Sequence, residues 1–466
     1  MKLNARKHLT LVVAVGVLGF IGAGQFLPNS LIVFGIFGAV FFTFAKEMDK
    51  GIPIDLIGSI LAVVQWLLGP VLSYQLDVSV DRYQMYVAEE AYFAFAIPAT
   101  SAFICGLLLL SNRGEELRVL RERDGRDDFK IGMMLLILSV GSEFARPFAP
   151  GTLAFFFHML SQLRYIAAIY FILSTHRFKW LLIVVSLSQL FIRTAEQAMF
   201  HDLILWGSLI ACYWWIIKPR TLPVKVAFLV FGVICVSSIQ VVKREYRDAA
   251  WAGENPSFAL VAYDMLVERS AFTNRDTIEN AIVRMNQGWI ISAVIRHVPS
   301  REPFAGGETI REAIIASMLP RFLAPNKKEA GGQVNFRRFT GMTLADSTSM
   351  GISPLGEAYA NFGSGGGTVF MFVWGLAFGT GIGAVRNYGR RDPTFLIWIP
   401  LIFYQAVKAE TEIVVVFNQL VKGSVVAIAC YYAIHHIWLK NSGRVLGDPR
   451  EHDIVPTGGL ADIQRH

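Results

Sequence analysis

Residues 91–111 read AYFAFAIPATSAFICGLLLLS, a run without a single charged side chain. As a helix rising about 1.5 Å per residue, this run crosses the ~30 Å hydrocarbon core of a bilayer. Eleven further apolar runs fall near 9–27, 30–45, 54–74, 131–147, 152–174, 179–197, 203–217, 225–242, 366–386, 394–411 and 413–437, the last two divided only by Lys408-Ala-Glu-Thr-Glu412. With 54% hydrophobic and 17% charged residues, a soluble chain of 466 residues has no way to hide so much apolar surface. In lipid every backbone polar group needs an internal partner, and uncharged runs of this length meet that need as helices. The reading is an all-α polytopic membrane protein of about twelve transmembrane helices.

The formal net charge is +7. Starting with the amino terminus inside and alternating, the inner short segments collect Lys46, Lys50, Arg113, Arg118, Arg121, Arg123, Arg126, Lys130, Arg177, Lys179, Lys218, Arg220, Lys225, Arg386, Arg390, Arg391, Lys440, Arg444 and Arg450. The outer short loops carry little beyond Arg82 and Arg146. Positive charge gathers on the cytoplasmic side of membrane proteins, so both termini are read as cytoplasmic and the long polar interval as external. Lys2, Arg6 and Lys7 before the run at Leu9 suit an uncleaved first anchor. Cationic charge distributed this way argues against a nucleic-acid partner. Cys105, Cys212, Cys235 and Cys430 all sit in apolar runs, and no metal-site spacing is present, so neither metal nor cofactor is expected.

Four regions follow: N-terminal transmembrane helices at 1–242, a large external loop with amphipathic helices at 243–365, C-terminal transmembrane helices at 366–437, and a cytoplasmic tail at 438–466. Within the loop, Asn274 or Asp276 caps a helix running to about His297, with Ile278, Ile282, Met285, Trp289 and Ala293 on one face and Asn280, Arg284 and Gln287 on the other. A second helix from Glu308 to Phe322 carries Ile310, Ala313, Ile314, Met318 and Phe322 as its apolar stripe, flanked by Arg311 and Arg321. Such a stripe suits a helix on the bilayer surface or one capping the bundle.

The loop is rich in arginine, whose planar fork binds phosphate oxygens in pairs and keeps its charge at any working pH. Arg284, Arg321, Lys327, Lys328, Arg337 and Arg338 are the candidates for binding a phosphorylated group. Glu357 is the candidate general base; its competing role is in the first turns of a helix capped by Ser353 and begun by Pro354. Arg164 lies near the middle of a span, where a charge marks a functional site by default. It pairs across helices with Glu143 or Glu410, or it faces a wet cavity whose edge includes Lys408, Glu410, Glu412 and Lys422. At i,i+3 spacing, Arg146 pairs with Glu143 and Arg193 with Glu196. The Gly363–Gly367 run lets the chain turn into the bilayer.

Taken in order, Arg284-Met-Asn-Gln-Gly288, Gly307 with its helix, Met318-Leu-Pro-Arg-Phe-Leu-Ala-Pro-Asn-Lys-Lys328, Gly341, Ser347-Thr-Ser349 and Ser353-Pro-Leu-Gly-Glu-Ala-Tyr-Ala-Asn-Phe-Gly363 resemble the Wzy-type polymerases of O-antigen and exopolysaccharide repeat units. The resemblance covers mainly 280–366 and the span plan. It implies a glycosyltransferase-C-like helical enzyme of a bacterial inner membrane, joining undecaprenyl-diphosphate-linked oligosaccharides on the periplasmic side without a metal. It maps Arg284 and the Arg321/Lys327 block onto diphosphate binding. Apart from the resemblance, Arg164, Arg193 and Arg311 are read as lining the cavity. Expected partners are the lipid-linked substrate, a chain-length regulator and a flippase. An O-antigen-ligase-like transferase, to which His297 beside Arg296 is relevant, and a flippase or transporter of lipid-linked saccharide are the alternatives.

Overall fold

The computed structural model describes residues 2–78, 83–111, 120, 125, 127–149, 151–197, 200–232, 234, 275–319, 332–344 and 349–434. All regular structure among these residues is helical. In chain order the helices are α1 (Lys2–Ala23), α2 (Asn29–Glu47), α3 (Ile54–Gln75), α4 (Glu89–Leu110), α5 (Asp128–Ala145), α6 (Gly151–Ser161), α7 (Leu163–Leu173), α8 (Lys179–Gln197), α9 (Phe200–Ile217) and α10 (Leu222–Gly232). Beyond 274 come α11 (Arg275–Met285), α12 (Gly288–His297), α13 (Glu308–Met318), α14 (Gln333–Thr340), α15 (Ser353–Gly389), α16 (Ile399–Phe403) and α17 (Ile413–Ile434).

Each of the twelve apolar runs holds a helix. Seven of these are long and apolar enough to cross a membrane: α2, α3, α4, Asp128–Phe148, Phe155–Leu173, α15 and α17. The runs at Leu9–Ala23, Lys179–Ile192, Asp202–Ile217, Leu222–Gly232 and Pro393–Phe403 form shorter apolar helices. Length and composition thus mark a helical membrane protein with seven such helices among the described residues, where the sequence alone suggests about twelve. The run at 394–411 falls short because irregular backbone replaces helix between Phe403 and Ile413.

The centre of the bundle is the contact between α4 and α15. A Cβ on Gly375 would overlap the carbonyl oxygen of Phe103, and one on Gly106 would overlap that of Phe372. Gly379 lies one turn on, where a Cβ would stand 3.2 Å from Gly106 O. Small residues at i,i+4 let the backbones themselves touch, which is how apolar helices associate where lipid removes the hydrophobic incentive. The α4–α15 spacing is therefore set by main chain. On either side, α1 packs on α4, α5 and α8 pack on α7, and α13 packs on α17.

At one end of this seam Arg386 is 1% exposed and Asp55 is fully buried. The guanidinium donates to Asp55 Oδ2 at 3.1 Å, to Ser111 O at 2.7 Å and to Ile52 O at 2.8 Å, tying α15 to α3 and to the end of α4. The positive-inside pattern treats Arg386 as a loop cation; instead α15 runs to Gly389 and carries this arginine inside. Of the three arginines there, Arg390 and Arg391 are exposed. Lys225 is likewise buried against Asp49, at 2.6 Å, rather than solvated.

Pro70 shapes α3. A π turn over Val64–Leu68 sends the Gly69 N–H to Val64 O, and Pro70 has no N–H to offer. The carbonyls of Gln65 and Trp66 therefore lack their usual helical donors. Tyr92 Oη, from α4, donates to Trp66 O at 2.8 Å, and the Gln287 N–H donates to Gln65 O at 3.0 Å. The expected single helix to His297 is accordingly two. Asn286 and Gln287 leave the helix to reach α3, and the Met285–Asn286 backbone presses so closely on Gly69 that a Cβ there would stand 2.8 Å from Asn286 Cα.

The C-terminal region also begins earlier than 366. α15 starts at Ser353, whose Oγ accepts from the Gly356 N–H at 3.3 Å, the capping role read from the sequence. Gly363 then breaks the helix with φ +67° and ψ −165°, a conformation reserved for glycine. The carbonyls of Ala360 and Asn361, stranded by that break, are taken by the N–H groups of Ala305 and Gly306, both at 3.0 Å. The glycine-rich run does turn the chain, but inside a helix already under way.

Candidate functional site

Polar groups concentrate where α15, α17 and the irregular segment between α16 and α17 meet the helices of the 275–344 interval. Glu357 is 1% exposed, and its Oε1 accepts the backbone N–H of Ile413 at 2.9 Å, the first residue of α17. A carboxylate suits the positive end of a helix, so Glu357 is an N-terminal cap supplied from another helix. Beside it Glu412, also buried, accepts from Asn335 Nδ2 of α14 at 2.8 Å. Asn361, one turn beyond Glu357, donates to Thr309 Oγ1 and to Glu357 O, both at 2.8 Å, and accepts from the Gly307 N–H at 2.9 Å. These bonds pin α13 and α14 onto α15 and α17.

The irregular segment lies against α3 and α9. Trp66 Nε1 donates to Ala409 O at 3.1 Å, and Gln65 Nε2 reaches Glu410 Oε2 at 3.4 Å. Lys408 is buried with its ammonium 2.6 Å from Asp202 Oδ1 and 4.3 Å from the centre of the Tyr404 ring. Irregular backbone among apolar helices persists only where protein or water satisfies it. Here Trp66 takes the Ala409 carbonyl and Glu357 the Ile413 N–H, while Gln65, Asn335 and Asp202 hold the side chains of Glu410, Glu412 and Lys408, so the segment is built rather than loose. Glu410 is half-buried, unlike Glu357 and Glu412. Arg284 is exposed on the last turn of α11, one turn before Gln287, whose N–H rests on Gln65 O. Gln65 thus stands between Arg284's helix and Glu410.

The other sequence candidates divide. Arg311 and Arg337 are exposed on α13 and α14. Arg338 is not open to a phosphate: it bonds Glu302 Oε1 at 2.6 Å and Glu308 Oε2 at 3.0 Å. Those two carboxylates, Glu302 first, raise its pKa. Arg296 stacks on the Tyr86 ring, 4.2 Å from its centre. His297 lies against Gly341; partial burial, with Arg301 and Arg296 adding to it against Glu302, holds its pKa below the ordinary imidazole range and the ring neutral at pH 7. Arg164 is buried between α5 and α6. It is 7% exposed, ion-paired with Glu143, and bonded through Nε to Ser139 Oγ at 3.0 Å and Ser161 O at 2.9 Å. The cross-helix partner is Glu143, one of the two expected, so Glu143 is drawn to Arg164 rather than to Arg146. Arg321, Lys327 and Lys328, together with the Arg193 and Glu196 side chains, lie outside the described residues.

The stripe expected on α13 is also rearranged. Thr309, Ala313, Ala316 and Ser317 are the buried residues, and Ile314 and Met318 are exposed. Small side chains let α13 sit closely on α17, leaving its larger apolar residues outward. Among the described residues no group of three or more His, Cys, Asp and Glu stands together as a metal would require.

Residues 72–381 match the family described as "Domain of unknown function (DUF8712)", a span of about two thirds of the chain. The chain belongs to that family. No curated protein and no solved structure matches the sequence. The DUF8712 span holds the α4–α15 seam, Arg284 and Glu357, while Asp55, Arg386, Lys408, Glu410 and the Ile413 N–H that Glu357 caps lie beyond its ends.

The cap makes a stability prediction. Glu357→Gln keeps an oxygen for the Ile413 N–H and should unfold close to wild type. Glu357→Leu leaves that buried N–H unpaired and should cost about 1–3 kcal/mol. Thermal unfolding of the two purified variants in detergent separates them; equal midpoints would remove the cap from the account.

Proposed function

We propose that the protein is a metal-independent membrane glycosyltransferase that polymerises undecaprenyl-diphosphate-linked oligosaccharide repeat units at the periplasmic face of a bacterial inner membrane. The support is the polar centre around Gln65, with the exposed Arg284 on one side and the half-buried Glu410 on the other, beneath helices that also present Arg311 and Arg337. The resemblance of 280–366 to Wzy-type polymerases supplies the substrate class, and the positive-inside pattern supplies the sidedness.

In the proposed reaction a sugar hydroxyl of one unit attacks the anomeric carbon of the growing chain. The new carbon–oxygen bond forms as the bond from that carbon to the diphosphate oxygen breaks. The diphosphate departs with the electron pair, and guanidinium groups hold its developing charge. Glu410 takes the hydroxyl proton. Glu357 is reassigned from base to positioning residue, because its burial and its bond to Ile413 leave it facing protein.

A cell-free reaction with purified lipid-linked oligosaccharide tests this. Wild type should yield a ladder of longer glycans, Arg284→Ala should slow it about 10²–10³-fold, and Glu410→Gln about 10²–10⁴-fold. Glu357→Gln should retain the ladder. Transfer to a lipid A acceptor alone would replace the polymerase with a ligase. Movement of substrate across a vesicle membrane without a new bond would make the protein a flippase.

A further inference from the structure

Two tryptophans meet between α8 and α9. The rings of Trp180 and Trp214 stand edge to face, 5.6 Å apart, and both remain exposed, at 52% and 37%. Lys179 precedes Trp180, and Lys218 lies one turn beyond Trp214, its N–H bonded to Trp214 O at 3.0 Å. The Trp180–Trp214 contact brings Lys179 and Lys218 to the same end of the α8–α9 pair. Lys179 Nζ donates to Ser174 O at 2.9 Å, which anchors it at the end of α7. Arg177, on the same connection, lies over the exposed Phe178 ring, 4.6 Å from its centre, and Arg220 is exposed two residues after Lys218.

Four of the other cations read as inner-loop charges are matched, whereas Lys46, Arg390 and Arg391 stand without an acidic partner among the described residues. Lys225 is matched by Asp49, Arg386 by Asp55, Lys130 by Asp127 and Lys50 by Glu47. Arg177, Lys179, Lys218 and Arg220 have no acidic partner among the described residues. Like charges held together on a rigid frame without counter-ions favour a bound anion. The aromatic pair beside them is apolar and exposed, which suits acyl chains and not a small solvated ion.

We propose that the α8–α9 edge is a binding site for one anionic phospholipid, its phosphate between Lys179 and Lys218 and its chains along Trp180 and Trp214. The sequence alone gives each lysine a positive-inside role, which any anionic surface would satisfy; the juxtaposition of both lysines over one tryptophan pair makes it a site. The site rests on the membrane reading of the helices and not on the proposed glycosyl transfer, so either stands without the other.

The test uses full-length protein in mixed micelles containing phospholipid brominated in its acyl chains, which quenches tryptophan on contact. Brominated phosphatidylglycerol should quench a component of emission that brominated phosphatidylcholine at equal mole fraction does not. That component should disappear in Trp180→Phe/Trp214→Phe. Its half-saturation should move at least about tenfold in Lys179→Gln/Lys218→Gln, whose thermal unfolding in detergent reports its fold independently. Equal quenching by both lipids, an unmoved half-saturation in the folded lysine variant, or displacement by inorganic phosphate at equal concentration would each overturn the site. Should the lysine pair prove necessary for folding, Lys218→Gln alone, which leaves the Lys179–Ser174 bond intact, carries the same comparison.

Discussion

Arg386→Ala is expected to cost about 3–5 kcal/mol, because it strands the Asp55 carboxylate in the interior without its counter-charge. The same change removes the donors to Ser111 O and Ile52 O, two carbonyls at the ends of other elements. Arg386→Lys should recover only part of the loss, since a single ammonium does not reach three acceptors as a planar fork does. The decisive variant is the double change Arg386→Met/Asp55→Leu. Removing both charges avoids the uncompensated carboxylate, so this protein should unfold well above Arg386→Ala. Thermal unfolding in detergent, with recovered yield, reads all three. Arg386→Ala melting within a degree or two of wild type would mean that the clamp contributes little.

Gly375→Leu should be at least as damaging, at or above the ~3 kcal/mol typical of severe overpacking. The atoms it would meet are the Phe103 carbonyl and the Leu107 amide of α4, which cannot rotate aside as a side chain does. The helices would have to separate, and Gly106 and Gly379 would lose their contacts in turn. Gly141 on α5 is the control: it is exposed, and a Cβ added there would meet nothing within 4 Å. Gly141→Ala should therefore be neutral or stabilising by up to about 1 kcal/mol through helix propensity. If Gly375→Leu and Gly141→Ala both unfold near wild type, main-chain contact between α4 and α15 is not what sets their spacing.

Both positions bear on how far the residues themselves announce the site. Arg284 and Glu357 stand out as charged residues in a long polar interval, although the helix expected to run past Arg284 to His297 ends at Met285. What Glu357 does is not visible from its neighbours, because its partner, the Ile413 N–H, is 56 residues away in the chain. Glu410 is legible only as part of a short polar break between two apolar runs. Its distinction from Glu357 and Glu412 is partial exposure, and burial depends on what folds over it. Arg338 looks like any loop arginine until Glu302 and Glu308 are brought to it.

From the residues alone come the apolar runs, each occupied by a helix, the cationic interval between them, the Ser353 cap and the short list of partners for Arg164. These follow from local rules: hydropathy, helical period and capping chemistry act within a few positions of one another. Only the tertiary structure decides that Arg386 is a buried clamp, that the helix expected to His297 parts at Asn286 and Gln287, and that α13 buries its small residues. In each case a group is claimed by a partner on another helix: Asp55 by charge, Gln65 O by the donor that Pro70 lacks, α17 by close approach. Periodicity carries no information about such partners, because hydrogen bonds and ion pairs are satisfied in space and not along the chain.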